Sequence, residues 1–113
     1  MAADDSVLVV GGGPAGLFAA LALAHAGLKP EIVAPRPPEG GDPRSSALLG
    51  GSVLALERLG VWREIADKAA PLRIMRLVDD TGALIRAPIF EGRAEEIGRE
   101  AFGYNLLNDT LNT

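Results

Sequence analysis

The sequence contains no cysteine and a single histidine, His25. Without cysteine there are no disulfides, no thiolate nucleophile and no cysteine-ligated metal. One histidine does not make a metal cluster by itself. Aromatic residues are only 4% of the chain, so any core must be mostly aliphatic. Basic residues are outnumbered, 11 Lys and Arg against 15 Asp and Glu, for a net charge of -4. They do not gather into a patch, which argues against nucleic-acid binding, a mode that needs a positive surface. Charge is missing altogether from Val7 to Leu28. Such a run has three readings: a membrane span, a signal peptide, or the opening of a nucleotide-binding unit.

The 113 residues are 48% hydrophobic and 23% charged, an ordinary globular balance for one small domain. The uncharged run is long enough to span a bilayer. Its Gly12-x-x-x-Gly16 also has the spacing of a helix-dimerisation face. However, Gly11-Gly12-Gly13-Pro14 would break such a helix near its start, leaving about three turns, too few to span. Ala24-His25-Ala26 imitates a signal-peptide cleavage site, but Asp4 and Asp5 precede the run where a secretory leader carries positive charge. Neither alternative accounts for the glycines.

The third reading accounts for all of it. Ser6-Val7-Leu8-Val9-Val10 is a short β-branched run, as in a buried parallel strand. Gly11-x-Gly13-x-x-Gly16 follows at once, then Leu17, Ala20, Leu21 and Ala24 at helical spacing. Gly27 suits a left-handed helix cap, and Ile32-Val33 gives a second strand opened by Glu31. This order predicts a βα β unit in which Gly11 makes the sharp turn, Gly13 lets backbone approach a pyrophosphate and Gly16 packs helix on strand. The helix N-terminus then faces the anion. A tight turn without ligand is the alternative use of the same residues.

A dinucleotide fold commonly ends its second strand with an acid that binds ribose hydroxyls. Here the strand ends Val33-Ala34-Pro35-Arg36, so Ala34 stands where the acid is expected. Arg36 fits either a 2′-phosphate contact or a solvated loop cation. His25, late on the first helix, reads as a cation near a helix C-terminus.

Beyond the βαβ unit, assigned to 5–34, residues 35–44 read as a Pro/Gly loop. Helices are expected over 46–70, with Val53, Leu54, Leu56 and Leu59 on one face and Gly60 as a cap. The second of them carries Val61, Trp62, Ile65, Ala66 and Ala69 and is stopped by Pro71. Trp62 reads as core. A β-hairpin is expected over 72–88, with strands 72–79 and 83–87 around Asp80-Thr81-Gly82. Arg73, Arg76 and Arg86 read as solvated edge charges on it. The tail, 89–113, reads as irregular, with "RAEEIGRE" at 93–100 read as a short helical turn. The fold class is therefore α/β: an incomplete Rossmann-like, FAD/NAD(P)-binding βαβ fold with a β-hairpin.

Four stretches carry a family resemblance over roughly residues 5 to 108: "VLVVGGGPAGL", "DPRSSALLGGSVLALERLGVW", "MRLVDDTGALIRAP" and "FGYN". They resemble the N-terminal part of the flavin-dependent aromatic hydroxylases, and within these the ubiquinone-biosynthesis branch. The Asp42-Pro43-Arg44 turn, the Leu-Gly-Val-Trp at 59–62 and Phe102-Gly103-Tyr104-Asn105 are its most specific parts. The resemblance implies FAD as cofactor, NAD(P)H as reductant in the full-length parent and hydroxylation of an aromatic or prenylated phenol substrate. It implies that Gly11, Gly13, Pro14, Ala15 and Gly16 hold the FAD pyrophosphate and that Arg44 reaches the cofactor, a sensible place for a cation.

Family enzymes are several times longer, and their Asp-Gly and second Gly-Asp motifs fall beyond residue 113. On that basis the chain reads as an FAD-binding fragment, marginal in stability and inactive alone, ending where the next family helix begins near Asn108. None of its residues is assigned as catalytic or as a metal ligand. The expected location is cytoplasmic, without a transmembrane segment; lipid-tailed substrates would bring the parent into peripheral membrane contact. Two other readings stay open: a free-standing NAD(P) or nucleotide-binding module, motivated by Arg36 and the missing acid, and a truncated product without a role of its own.

Overall fold

The structure, a computed structural model, describes residues 6–37 and 39–112. Asp4, Asp5 and the end of the tail at Thr113 lie outside the described residues. The first unit is β1 (Ser6–Val10), α1 (Pro14–His25) and β2 (Lys29–Val33). β1 and β2 are parallel, in register from Ser6 against Lys29 to Val10 against Val33. The second strand thus begins before Ile32, and Glu31 sits mid-strand opposite Leu8 instead of opening it. Pro30 lies within the strand. A proline is tolerated in an edge strand because no ladder hydrogen bond needs its missing N–H.

Helix α1 ends as its glycine predicts. Gly27 has φ of 86°. The amide of Gly27 bonds the carbonyl of Ala24 and the amide of Leu28 bonds that of Leu23, a Schellman cap that satisfies the last carbonyls. Gly60 repeats this arrangement after the second helix, its amide on Glu57 and that of Val61 on Leu56.

The segment expected to be helical over 46–70 is more mixed. Its start is a strand, β3 (Ser45–Leu49), followed by α2 (Gly50–Arg58), the short α3 (Trp62–Ile65), a 3-10 turn at Ala66–Lys68 and β4 (Ala70–Pro71). Pro71 does not merely stop a helix; it belongs to the edge strand β4, where its missing N–H is harmless. In β3 the half-buried residues are Ser46 and Leu48, at a period of two. That alternation is short and abuts a helix, so the helical reading absorbed it.

The 72–88 hairpin is also redrawn. β5 (Ile74–Leu77) pairs antiparallel with β6 (Phe90–Arg93), not with 83–87. The connection between them is a loop that Asp79 closes, accepting the amides of Thr81 at 3.0 Å and Ala87 at 2.9 Å. Drawing Ala87 into that contact removes it from a ladder, and Leu84 and Ile85 point to solvent. The tail expected to be irregular contains two strands, β6 and β7 (Gly103–Leu107), beside the expected short turn, a 3-10 turn at Ala94–Ile97, and a helix that begins at Asn108 as the resemblance implies, α4 (Asn108–Leu111). β7 is the central strand of the antiparallel order β3-β7-β4.

Leu56, Ile65 and Leu106 form the buried cluster, with Phe18, Leu48, Val61, Trp62, Ala69 and Leu111 packed around it. Trp62 is half-buried here and tilts against Tyr104, ring centroids 5.1 Å apart. Phe18 is the contribution of α1, so the first unit is fastened to the second by one aromatic side chain and its neighbours. The whole is extended. Its accessible surface is 8574 Å², against about 5900 Å² for a globular monomer of this mass. Its radius of gyration is 18.4 Å, against roughly 13 Å for a compact domain of about this length.

Candidate dinucleotide-binding site

The glycine turn between β1 and α1 is set by backbone geometry. Gly11 has φ of 125°, a region side chains rarely enter, and its amide bonds the Val33 carbonyl at 2.9 Å. Gly16 lies against the turn so closely that a Cβ would overlap the Gly11 carbonyl oxygen. Gly13 differs: it is exposed, and a Cβ there would meet nothing within 4 Å. Two of the glycines are therefore required by the fold, and the space beside the third is open.

The N-terminus of α1 is bare of side-chain partners. Gly13 is the N-cap without a side-chain cap bond, Pro14 follows, and the first turn holds no acidic residue. The first helical bond runs from the Leu17 amide to the Gly13 carbonyl at 3.0 Å. Pro14 has no N–H, so the amides of Ala15 and Gly16 are the donors that emerge next to Gly13. A twelve-residue helix adds a partial positive charge at that end. Together these make an anion cradle.

Gly12 adds a contact that sequence reading did not use. A Cβ on it would fall 2.7 Å from the Ala34 Cβ. Ala34, the residue at the place of the expected acid, thus lies directly beside the glycine turn just past β2. The equal smallness of Gly12 and Ala34 was the available signal. Glu31 and Arg36 are both exposed. His25 is the last residue of α1 and is exposed as well.

Arg44 is held apart from the glycine turn's own sheet, just before β3. Its Nε and Nη2 donate to the two carboxylate oxygens of Asp42, each at 2.8 Å. Asp42 also accepts the Asn108 Nδ2 at 2.9 Å, and Asn108 in turn accepts the Ser46 hydroxyl at 2.6 Å. Asp109 accepts the backbone amide of Asp42 at 2.6 Å. Gly41, with φ of 78°, brings the loop within 2.5 Å of Asp109 if a Cβ is added. The Arg44 guanidinium first, and then the Asn108 amide, hold the Asp42 carboxyl well below the usual carboxylate range. The same bond raises the Arg44 pKa further. The link from Asp42 and Ser46 to Asn108 is not legible in the sequence, because Asn108 lies more than sixty residues from both and shares no spacing with them.

Two of the arginines of the expected hairpin are tied to surface carboxylates. Arg76 donates to Glu91 at 2.7 Å and Arg73 to Glu100 at 3.3 Å. Neither Arg73 nor Arg86 lies within a strand, contrary to expectation. No helix among the described residues is long and apolar enough to cross a membrane.

A parallel βαβ unit with a glycine turn and an uncapped helix N-terminus defines the class: a dinucleotide-binding α/β fold. The chain belongs to the FAD binding domain family, whose sequence profile matches residues 4–105. Its cofactor is accordingly FAD, and the cradle fits that group. Among relatives, a para-nitrophenol 4-monooxygenase of Pseudomonas sp. (strain WBC-3) is 40% identical over 65 residues, 58% of this chain and 16% of that protein. The ubiquinone hydroxylase UbiM of Neisseria meningitidis is 38% identical over 87 residues, 70% of this chain and 18% of that protein. The crystal structure of Klebsiella pneumoniae HpxO complexed with FAD and uric acid superposes with a TM-score of 0.62 at 20% identity, over 95% of this chain and 26% of that one. The chain thus spans less than a fifth of the length of these two relatives.

Proposed function

We propose that the chain is the FAD-binding portion of a flavin-dependent monooxygenase that hydroxylates an aromatic ring, in the ubiquinone-biosynthesis branch. The observation that carries this reading is the bare N-terminus of α1 behind an open Gly13. The amides of Ala15 and Gly16 would donate to the FAD pyrophosphate, while Gly11 and Gly16 keep the turn tight and Pro14 fixes the first helical residue. Arg44 would add a cationic contact. Bound FAD supplies redox chemistry and oxygen activation, with NAD(P)H as reductant in the parent enzyme. The described residues bind and orient; hydroxylation of a nitrophenol-like or prenylated phenol ring would use residues outside them.

The two named relatives support an aromatic substrate, and the likeness to UbiM supports the ubiquinone branch. Mixing the purified chain with FAD should quench flavin fluorescence saturably, with NADP competing poorly. Saturable NADP binding in preference to FAD would overturn the cofactor assignment of the cradle. Replacing Gly13 by Asp should abolish the FAD signal, because a carboxylate there would repel the pyrophosphate.

A further inference from the structure

We infer that Asp42 is a positioning residue for Arg44: it grips one edge of the guanidinium and aims the other at the cofactor. The inference rests on the proposal that Arg44 meets FAD. Arginine carries five N–H donors in a rigid plane. Asp42 takes the Nε and one Nη2 hydrogen in a two-point bond at 2.8 Å each. That leaves the Nη1 edge directed away from Asp42, on a side chain 81% exposed. An unheld arginine at this exposure would sample many rotamers, and ordering it on ligand binding costs free energy.

Asp42 can hold Arg44 only if it is held itself, and three contacts do so. Its second oxygen accepts from Asn108, its backbone amide donates to Asp109, and its Oδ1 accepts the Arg44 amide at 3.1 Å. Asn108 is buried, 9% exposed, and is oriented by the Ser46 hydroxyl from β3. The guanidinium is thereby tied through Asp42 to the start of α4 and to β3, which pairs with β7, and the Asn108 amide itself donates to the Arg44 carbonyl. The Asp42-Pro43-Arg44 turn is then a unit in which the acid orients the base.

The test uses the complete chain and FAD. Arg44→Ala and Asp42→Asn should each weaken FAD binding by about tenfold, the size of a charge-assisted hydrogen bond. The double variant should be no weaker than Arg44→Ala, since Asp42 acts only through Arg44. Additive losses, or wild-type affinity in Asp42→Asn beside a weak Arg44→Ala, would overturn the positioning role and leave the Arg44 contact standing. Wild-type affinity in Arg44→Ala would remove the Arg44 contact, and the inference with it. A readout without FAD guards against misfolded variants. In ¹⁵N spectra of the unaltered chain the Arg44 Nε–H should be slow to exchange; rapid exchange like that of a free arginine overturns the inference.

Discussion

The β1–α1–β2 unit and the β3–β7–β4 unit are built from opposite kinds of contact. The first is continuous in sequence and parallel, and its strands are open: Val10 is 79% and Val33 55% exposed. The second joins residues far apart, Ser45 with Leu107 and Ala70 with Asn105, and its central strand supplies Leu106, at 1% exposure, to the buried cluster, whose other members, Leu56 and Ile65, come from the helices α2 and α3 between β3 and β4. The cradle and the core therefore occupy different regions. The turn does not need a core to hold its shape, because Gly11 and Gly16 fix it through backbone geometry. It needs the core only to keep α1 in place, and Phe18 makes that link.

The largest test strikes the second region. Leu106→Ala should destabilise the chain by about 2–5 kcal/mol, read from the urea midpoint, because the side chain, on the central strand β7, is fully enclosed. A shift below about 0.5 kcal/mol, the range of ordinary surface changes, would mean the cluster is not where stability resides. Next comes Gly16→Val in the first region. Its Cβ meets the Gly11 carbonyl oxygen, so either the helix or the turn must move, at about 1–3 kcal/mol for an overpacked contact. FAD affinity should fall with it. A valine variant of wild-type stability would show that α1 does not depend on this close approach.

The difference between the regions also governs what could be read from sequence. The βαβ unit was legible because each signal was local: a β-branched run, glycines with separate geometric tasks, a helical period and a left-handed cap at Gly27. Only the start of β2 was missed: the strand begins at Lys29, not at Glu31. The second region was less legible because its strands are defined by distant partners. Ser45–Leu49 becomes a strand by pairing with Gly103–Leu107. The specific feel of Phe102-Gly103-Tyr104-Asn105 has its explanation there: a Cβ on Gly103 would overlap the Leu48 carbonyl oxygen. The Asp42-Pro43-Arg44 turn was singled out by resemblance, yet the bonds that join Asp42 to Arg44 and to Asn108, and Asn108 to Ser46, became visible only when the chain was folded.

A smaller effect separates the two kinds of glycine within the cradle. Gly13→Ala should leave stability within about 0.5 kcal/mol, since its φ of -79° is ordinary and its Cβ would stand in open space. FAD affinity should nevertheless drop about tenfold, a cost of roughly 1.4 kcal/mol, because the methyl occupies the approach to the Ala15 and Gly16 amides. Equal affinity in the alanine variant would place the pyrophosphate elsewhere. Stability and binding, measured on Gly13→Ala and Leu106→Ala together, should thus move in opposite variants.

The smallest expected effect lies outside both regions, in the loop closed by Asp79. The amide of Ala87, then the hydroxyl and amide of Thr81, hold the Asp79 carboxyl below its ordinary value of 3.8. A depressed carboxylate gives stabilisation that is complete above the unfolded value and is lost as pH falls through the folded one. Lowering the pH to about 4, near the ordinary aspartate value, should therefore leave the loop closed, and further acidification should open it. Hydrogen exchange of the Thr81 and Ala87 amides reads this directly. Both should lose protection together, at a pH below 3.8, and both should lose it at neutral pH in Asp79→Asn. The amides of β7 should not respond to that substitution, because the hydrogen bonds of Asp79 run to Thr81 and Ala87, neither of which is in the Leu106 cluster. If they did respond, the long-range pairing that sets the second region apart would extend through the β5–β6 loop as well.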